Sequence, residues 1–196
     1  MENDNDPEAI KIILIGDSGT GKTNLITVAA GFEFNSNTLT TRACSYIQKK
    51  YTIKNTEYKV NVWDTIGQEK YRSLTKIFVK ESKIVIFVYD ITNKNSFDSL
   101  PFWKKIVDEL LSETPVFGIV GNKMDLYVDE QVKSEEVDKY ANEIGAKVLL
   151  TSAKTDSTSF SNFLGELLQD HLAKGNMDRM ESFALNKEVK KKKNCC

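Results

Sequence analysis

Apolar residues along the chain fall either into short uninterrupted runs or into helical spacing. The uninterrupted runs are typical of parallel strands covered on both faces and predict buried strands over 10–15, 84–89, 116–120 and 147–150. Helical spacing predicts helices over 22–30, 96–111, 135–144 and 159–172. Two alternating segments, 46–53 and 58–63, predict a hairpin around Lys54-Asn55-Thr56. The pattern therefore predicts an α/β fold: a six-stranded, mostly parallel sheet with one antiparallel edge strand and about five flanking helices.

Finer features of the pattern predict how the helices are placed. Trp103 lies on the apolar stripe of the predicted helix over 96–111, so we expect it in the core. Ser134 and Ser157 precede or open two later helices and are candidate caps. Periodicity fades after about residue 175. We therefore expect a flexible N-terminus over 1–8, one domain over 9–175 and a disordered tail over 176–196.

Composition narrows the class of protein. Of the 196 residues, 40% are hydrophobic and 28% charged, which suits one soluble domain. The longest apolar run has six residues, far short of a membrane span, and the polar start of the chain resembles no secretory signal. Three cysteines do not make a disulfide framework, which favours a reducing, cytosol-facing location. The net charge is -1, but the tail carries six basic and three acidic residues, so we expect the tail to have its own partner and the body to bind no nucleic acid.

The first candidate site is the segment Gly16-Asp17-Ser18-Gly19-Thr20-Gly21-Lys22-Thr23, which fits the phosphate-loop pattern G-x-x-x-x-G-K-[ST]. It follows a predicted strand and opens a predicted helix, the context that this pattern requires. Its glycines let backbone N–H groups converge on phosphate oxygens, and the helix N-terminus adds partial positive charge. Lys22 can neutralise the β- and γ-phosphates, and the Thr23 hydroxyl can bind Mg²⁺. The alternative is a glycine turn with an incidental lysine.

A second loop, Asn122-Lys123-Met124-Asp125, follows the predicted strand over 116–120. Ligands of open α/β sheets bind beyond the carboxyl ends of the strands, so this loop and the phosphate loop can reach one ligand. The Asp125 carboxylate can accept two hydrogen bonds, from the ring N–H and the amine of guanine, a donor pair that adenine lacks. Asn122 can position the loop. Alone, this four-residue pattern also fits a polar turn.

A third loop, over 63–68, ends another predicted strand. Asp64 can hold Mg²⁺ through water, Gly67 lets a backbone N–H approach a terminal phosphate, and Gln68 can orient an attacking water. Taken singly, Asp64 could be a turn former and Gln68 merely an exposed side chain.

The motifs G-x-x-x-x-G-K-T, D-x-x-G-Q, N-K-x-D and S-A-K, in this order, resemble those of the Ras superfamily of small GTPases, and among them the Rab family. The resemblance covers about residues 9–173 and implies a P-loop NTPase fold and hydrolysis of GTP to GDP, slow alone and assisted by a GTPase-activating protein. It implies Mg²⁺ as cofactor, held by Thr23, Thr41 and Asp64, and catalysis by Gln68 and Lys22. The residues implied to contact the nucleotide are Asp17, Ser18, Gly19, Thr20, Gly21, Lys22, Thr23, Asn24, Phe34, Thr41, Gly67, Asn122, Lys123, Asp125, Ser152, Ala153 and Lys154.

The Rab resemblance also implies surfaces for partners. Phe34 would pack on the guanine base, and Tyr46, Trp63 and Phe78 match the aromatic triad that Rab proteins show to effectors, although core packing is the other interpretation of these rings. The terminal Cys195-Cys196 resembles the doubly geranylgeranylated end of Rab proteins. These features imply a monomer on the cytoplasmic face of an intracellular membrane, acting in vesicle traffic. Its partners would be an exchange factor, a GTPase-activating protein, a GDP-dissociation inhibitor, an escort protein, a geranylgeranyl transferase and effectors.

The chain departs from the Rab pattern within residues 35–43 and 64–76, the two segments that the resemblance implies are ordered by GTP with Mg²⁺ and released on hydrolysis. The chain has Thr41-Arg42-Ala43 where the family has T-I-G, and Ile66 replaces the alanine of D-T-A-G. A β-branched Ile66 is bulkier and stiffer than alanine, so hydrolysis slower than in other members is a hypothesis. The alternative function is a GTP-binding module that hydrolyses poorly and acts as a long-lived scaffold. A P-loop kinase of small metabolites is a third possibility, which the N-K-x-D motif and the tail disfavour.

Overall fold

The computed structural model describes residues 9–35, 45–65 and 78–175. Within these residues the strands are β1 Ile10–Ile15, β2 Ser45–Ile53, β3 Thr56–Asp64, β4 Ile84–Asp90, β5 Val116–Asn122 and β6 Ala146–Leu150. They form one six-stranded sheet in the order β2-β3-β1-β4-β5-β6. Of these six strands, β2 alone runs antiparallel to its neighbour, and it lies at the edge of the sheet. The predicted sheet is confirmed.

Helices cover both faces of the sheet. Four α-helices lie wholly within the described residues, and a fifth, α5, is described over 159–175; the four are α1 Lys22–Ala29, α2 Lys94–Asp98, α3 Leu100–Leu110 and α4 Ser134–Ile144. Alternate residues of β1 point to opposite faces, so Ile12 and Leu14 join α1 and α5 in one core. Ile13 and Ile15 join α2, α3 and α4 in the other. Within the described ranges, no helix combines the length and apolar character that crossing a bilayer requires.

The hairpin turn is tighter than predicted. Lys54 and Asn55 have φ of 48° and 62°, and the adjoining Ile53 and Thr56 are already paired as strand residues. Two residues with positive φ make the type of turn whose twist matches the flanking strands. The turn therefore has two residues, and Thr56 belongs to β3.

The single helix predicted over 96–111 is wrong in detail, because α2 and α3 are separate helices divided at Ser99. Pro101 lies in the first turn of α3, where its missing N–H is tolerated, whereas in the middle of one long helix it would remove a hydrogen bond. The Asn93 side chain begins α2 by accepting from the Asn95 N–H.

The two predicted serine caps are also wrong. Ser134 is the first residue of α4 itself, after Lys133. At the start of α5, the acceptor is Asp156 rather than Ser157: one Asp156 carboxylate oxygen accepts from the N–H groups of Thr158 and Ser159, each at 3.0 Å. A carboxylate satisfies helix N–H groups and interacts favourably with the helix dipole, which explains why the aspartate takes this role.

The parallel strands bring the candidate chemistry to one edge. β1, β3, β4, β5 and β6 all point their carboxyl ends the same way, so the loops that follow them converge. The domain limits at 9 and 175 stay predictions, since 1–8 and 176–196 lie outside the described residues.

Candidate nucleotide site

The phosphate loop connects β1 to α1. Gly19 and Gly21 have φ of 82° and 90°, which favour glycine. Ser18 and Gly19 are exposed at the tip of the loop, whereas Thr20 is buried. The N-cap residue of α1 is Gly21, which makes no side-chain cap hydrogen bond, and Asn24 lies in the first turn of the helix. The N-terminus of a helix carries partial positive charge, which favours a bound phosphate.

Lys22 lies inside this loop and is only 5% exposed. Its ammonium donates to the carbonyl oxygens of Gly16 at 2.9 Å and Asp17 at 2.7 Å. Burial lowers the pKa of Lys22 to about 8, although the carboxylates of Asp64 and Asp17 raise it in part. Burial thus disfavours the charged form of Lys22, and an anionic phosphate beside the ammonium would stabilise that charge.

Oxygen donors for a cation meet beside the loop. The Thr23 hydroxyl donates to an Asp64 carboxylate oxygen at 2.7 Å, and Asp64 is 2% exposed at the end of β3. The adjacent Thr65 hydroxyl donates to the Leu14 carbonyl at 2.6 Å, which ties this end of β3 to β1. Among the described residues, no group of three His, Cys, Asp or Glu side chains gathers as a metal site. Mg²⁺ is commonly held by one or two protein oxygens together with phosphates and water, so Thr23 and Asp64 fit that ion.

The second loop is attached to the phosphate loop by Asn122. Its side-chain amide donates to the Thr20 carbonyl at 2.9 Å, and its oxygen accepts from the Ala153 N–H at 3.1 Å. The two loops approach so closely that a Cβ on Gly21 would lie 2.2 Å from the Asn122 amide nitrogen. Asn122 therefore connects three loops, those after β1, β5 and β6.

Asp125 is placed by the loop after β6. The Ser152 hydroxyl donates to one Asp125 oxygen at 2.5 Å, and the Lys154 ammonium lies 3.6 Å from the other. The Asp125 side chain is 14% exposed. A carboxylate that is held in place and still accessible can accept hydrogen bonds from the ring N–H and the amine of a guanine base. The S-A-K segment therefore accompanies N-K-x-D because Ser152 and Lys154 hold the Asp125 side chain.

Lys123 lies between these residues with a left-handed backbone, φ 71°. Its ammonium forms an ion pair of 2.6 Å with Asp90, at the end of β4. Asp90 also accepts from the N–H and hydroxyl of Thr92. The N-K-x-D lysine thus joins a fourth strand end to the site, a contact that the sequence did not indicate.

Several predicted residues lie outside the described residues: Thr41, Arg42, Ala43, Ile66, Gly67, Gln68, Cys195 and Cys196. Phe34 is described; it is half-buried and packs against the core that α1 and α5 share. Its predicted contact with a base stays a prediction.

The three predicted effector aromatics form one cluster on the sheet surface. The rings of Tyr46 and Trp63 stack with centroids 4.7 Å apart, and Phe78 lies 6.0 Å from Trp63. Tyr46 is 53% exposed, whereas Trp63 and Phe78 are half-buried against the core. The cluster is therefore anchored in the core and also presents an aromatic face, and its contact with effectors stays a prediction.

A further polar contact joins the site to α3. The Trp103 indole N–H donates to an Asp17 carboxylate oxygen at 2.8 Å. The apolar pattern correctly predicted that Trp103 is buried, but it gave no sign of this contact. The only signal in the sequence was an acidic residue inside a loop built to bind anions.

The fold and the site define a P-loop nucleotide-binding protein: a phosphate loop after the first strand, a paired threonine and aspartate beside it, and a base-reading loop at the same edge. The Ras family model matches residues 11–171. The chain is 35% identical over 175 residues to the Ras-related protein Rab-21 of Homo sapiens, covering 86% of this chain and 78% of the relative. It is 34% identical over 192 residues to Rab-13 of Mesocricetus auratus, covering 95% and 94%.

Rab-26 of Bos taurus is 32% identical over 192 residues, covering 96% of this chain and 75% of the relative. A family match over most of the chain and relatives at this identity show that the chain belongs to the Rab family of Ras-superfamily small GTPases. Members of this family bind GTP and GDP and hydrolyse GTP.

Proposed function

We propose that the chain is a membrane-attached Rab-type switch, which alternates between a GTP-bound active form and a GDP-bound inactive form to regulate vesicle traffic through effectors. The observation that supports this most is the convergence of Lys22, the Thr23–Asp64 pair and Asp125 at one sheet edge, joined by Asn122. A phosphate-binding end and a base-reading end on one rigid frame suit a nucleotide switch.

Each residue has a defined task in the proposed reaction, which is phosphoryl transfer from GTP to water. Lys22 and the N–H groups of α1 stabilise negative charge on the phosphates. Thr23 and Asp64 would hold Mg²⁺, which when bound neutralises charge on the β- and γ-phosphate oxygens. Asp125 selects guanine. Gln68, assigned from the sequence, orients the water.

The partners proposed from the family are those that a switch of this kind requires. An exchange factor would release GDP, a GTPase-activating protein would add charge stabilisation during hydrolysis, and effectors would contact the cluster of Tyr46, Trp63 and Phe78. A GDP-dissociation inhibitor, an escort protein and a geranylgeranyl transferase would act on the tail. The proposed role in vesicle traffic is inferred from membership of the Rab family.

Single-turnover hydrolysis of bound GTP, with ATP as the control nucleotide, tests the proposed function. We expect GTP to convert slowly to GDP and ATP to be neither retained nor hydrolysed. Asp125→Asn is the matched variant, because it keeps the size of the side chain but replaces one acceptor oxygen by a donor. Its preference for GTP over ATP is expected to collapse. A wild-type chain that retains neither nucleotide would refute the proposal.

The same assay distinguishes the alternative, a scaffold that hydrolyses poorly. If the wild type binds GTP tightly without converting it, and Ile66→Ala restores conversion, the scaffold is favoured. If Ile66→Ala gives no acceleration, the idea that Ile66 slows hydrolysis is wrong.

Membrane attachment is proposed from the tail. Two terminal thiols can each carry a lipid, and two chains hold a protein on a bilayer where one chain holds it only marginally. The four lysines over 190–193 would add about 4 kcal/mol of attraction to an anionic leaflet, at about 1 each. We expect the double variant Cys195→Ser/Cys196→Ser to move to the soluble fraction of cells, with Cys44→Ser as the matched control. A double variant that stays on membranes would refute this part of the proposal.

A further inference from the structure

Trp103 and Asp17 connect two elements that are far apart in sequence. Trp103 lies on α3, is 2% exposed and is part of the core beneath that helix. Asp17 is half-buried on the phosphate loop. The 2.8 Å hydrogen bond from the indole Nε1 to the Asp17 carboxylate joins them across 86 positions of the chain. A buried ring on a helix is a rigid donor, so it fixes where the carboxylate lies.

The backbone of Asp17 is itself a junction in the loop. Its carbonyl oxygen accepts from the Lys22 ammonium at 2.7 Å and from the Thr20 hydroxyl at 3.1 Å. Thr20 in turn offers its own carbonyl to Asn122. Asp17 is therefore fixed at its side chain by α3 and bonded at its carbonyl to two other loop side chains. Its position controls the shape of the loop.

The charge of Asp17 makes its placement important. A carboxylate in a loop that binds phosphates opposes binding, because like charges at short range repel even when partly solvated. A donor that holds the carboxylate toward α3 also leaves the loop cation, Lys22, directed to the loop interior through the Asp17 carbonyl. The carboxylate is thus an anchor while Trp103 holds it, and a competitor of phosphate once it is released.

We propose that Trp103 is a positioning residue of the nucleotide site: its indole N–H holds the Asp17 side chain against α3, which keeps the phosphate loop open to an anion and retains bound nucleotide. The inference rests on the proposed nucleotide-binding function and deepens it. Trp103 acts through Asp17 and does not contact the nucleotide itself.

A double-mutant cycle on GDP release tests the coupling. Trp103→Phe keeps an aromatic ring but removes the N–H, and we expect release of a fluorescent GDP analogue to become about tenfold faster, as for loss of one hydrogen bond to a charged acceptor. In an Asp17→Ala background, the same Trp103 substitution is expected to give no further acceleration. Equal acceleration in both backgrounds would overturn the proposal, because the effect would then be one of packing alone.

A matched control removes packing without touching the hydrogen bond. Ile106→Val trims a side chain that is 7% exposed and lies in the same core. We expect it to lower the melting temperature yet leave GDP release within about twofold of the wild type. Release accelerated as much as in Trp103→Phe would overturn the proposal.

A spectroscopic readout covers the case in which Trp103→Phe does not fold. The chain has two tryptophans, so its nitrogen–proton spectrum shows two indole signals, and Trp63→Phe assigns them. We expect the Trp103 indole proton to move upfield in Asp17→Ala and to keep its position more closely in Asp17→Asn, whose amide oxygen still accepts. An unmoved signal in Asp17→Ala would overturn the inference. A wild-type chain that retains no GDP would instead overturn the proposed function.

Discussion

Replacing Asn122 by alanine tests whether one side chain holds the three loops of the site together. Asn122 is 2% exposed, and both ends of its amide are used, one on the Thr20 carbonyl and one on the Ala153 N–H. The variant removes both contacts and leaves no polar side-chain atom at residue 122 to replace them. Each backbone group was paired in a buried setting, so each loses a partner where water does not freely replace it.

The magnitude follows from those two contacts. A buried backbone group left without its partner costs about 1–3 kcal/mol, so the pair predicts a loss of about 3 kcal/mol in the free energy of unfolding. That is a large part of the roughly 5–15 kcal/mol that stabilises an ordinary domain. With a urea slope of about 2 kcal/mol per molar, the unfolding midpoint should fall by about 1.5 M.

Urea unfolding followed by circular dichroism measures this loss. The nucleotide is removed first, because a ligand that binds only the folded chain would add stability and exaggerate the difference between variants. Asn61→Ala is the matched control: Asn61 accepts from the Gln48 amide at 3.2 Å on the exposed face of the hairpin. We expect that control to lose no more than about 0.5 kcal/mol. If Asn122→Ala loses no more than Asn61→Ala, the loops are not held by Asn122 and the reasoning is refuted.

Three further predictions concern the loops and the helix that follows them. Gly21→Ala should destabilise the chain more than Gly145→Ala by about 1 kcal/mol or more in urea unfolding, because both have positive φ but only a Cβ at Gly21 meets Asn122; equal losses would contradict this. Asp156→Ala should lose about 1 kcal/mol at pH 7. Hydrogen bonds from the start of α5 lower the pKa of Asp156 to about 2, so its stabilisation is present above about pH 4 and vanishes as pH falls toward 2; a pH-independent difference in melting temperature would contradict it. Burial lowers the pKa of Lys22 to about 8 in the chain without nucleotide, so the affinity for GDP should be constant below pH 8 and weaken above it. Above pH 8 we expect Lys22 to take up a proton when GDP binds, which calorimetry in two buffers of different ionisation enthalpy detects; the absence of proton uptake at pH 9 would count against this.

The strands and the three loops were predictable because their signals are local. Gly16 and Asn122 follow predicted strands that are apolar runs, and Asp64 follows a predicted strand that alternates apolar and polar residues, so all three could be placed at strand ends from the local pattern. The tight turn at Lys54 and Asn55 was predictable to within one residue for the same reason.

The features that were not predicted depend on tertiary packing, because the local sequence is compatible with more than one arrangement. Pro101 suits either a helix start or a kink, and only the packing of α2 and α3 selects the first. Asp156 and Ser157 are both good capping residues, and the choice between them depends on where the chain leaves β6. The Trp103–Asp17 bond requires two elements 86 residues apart to pack at one distance, which no local pattern encodes.

The two ends of the site differ in how fully their polar groups are satisfied, and this difference bears on binding. At the base-reading end, Asp125 and Asn122 are already held by Ser152 and by loop backbone, so little further ordering is needed when a ligand arrives. At the phosphate end, the Lys22 ammonium is buried and donates to carbonyl oxygens, and burial lowers the pKa of Lys22 although Asp64 and Asp17 raise it in part. A ligand carrying phosphate would stabilise the buried ammonium, so we expect affinity to come mainly from the phosphate end and base selectivity from the end that is rigid beforehand.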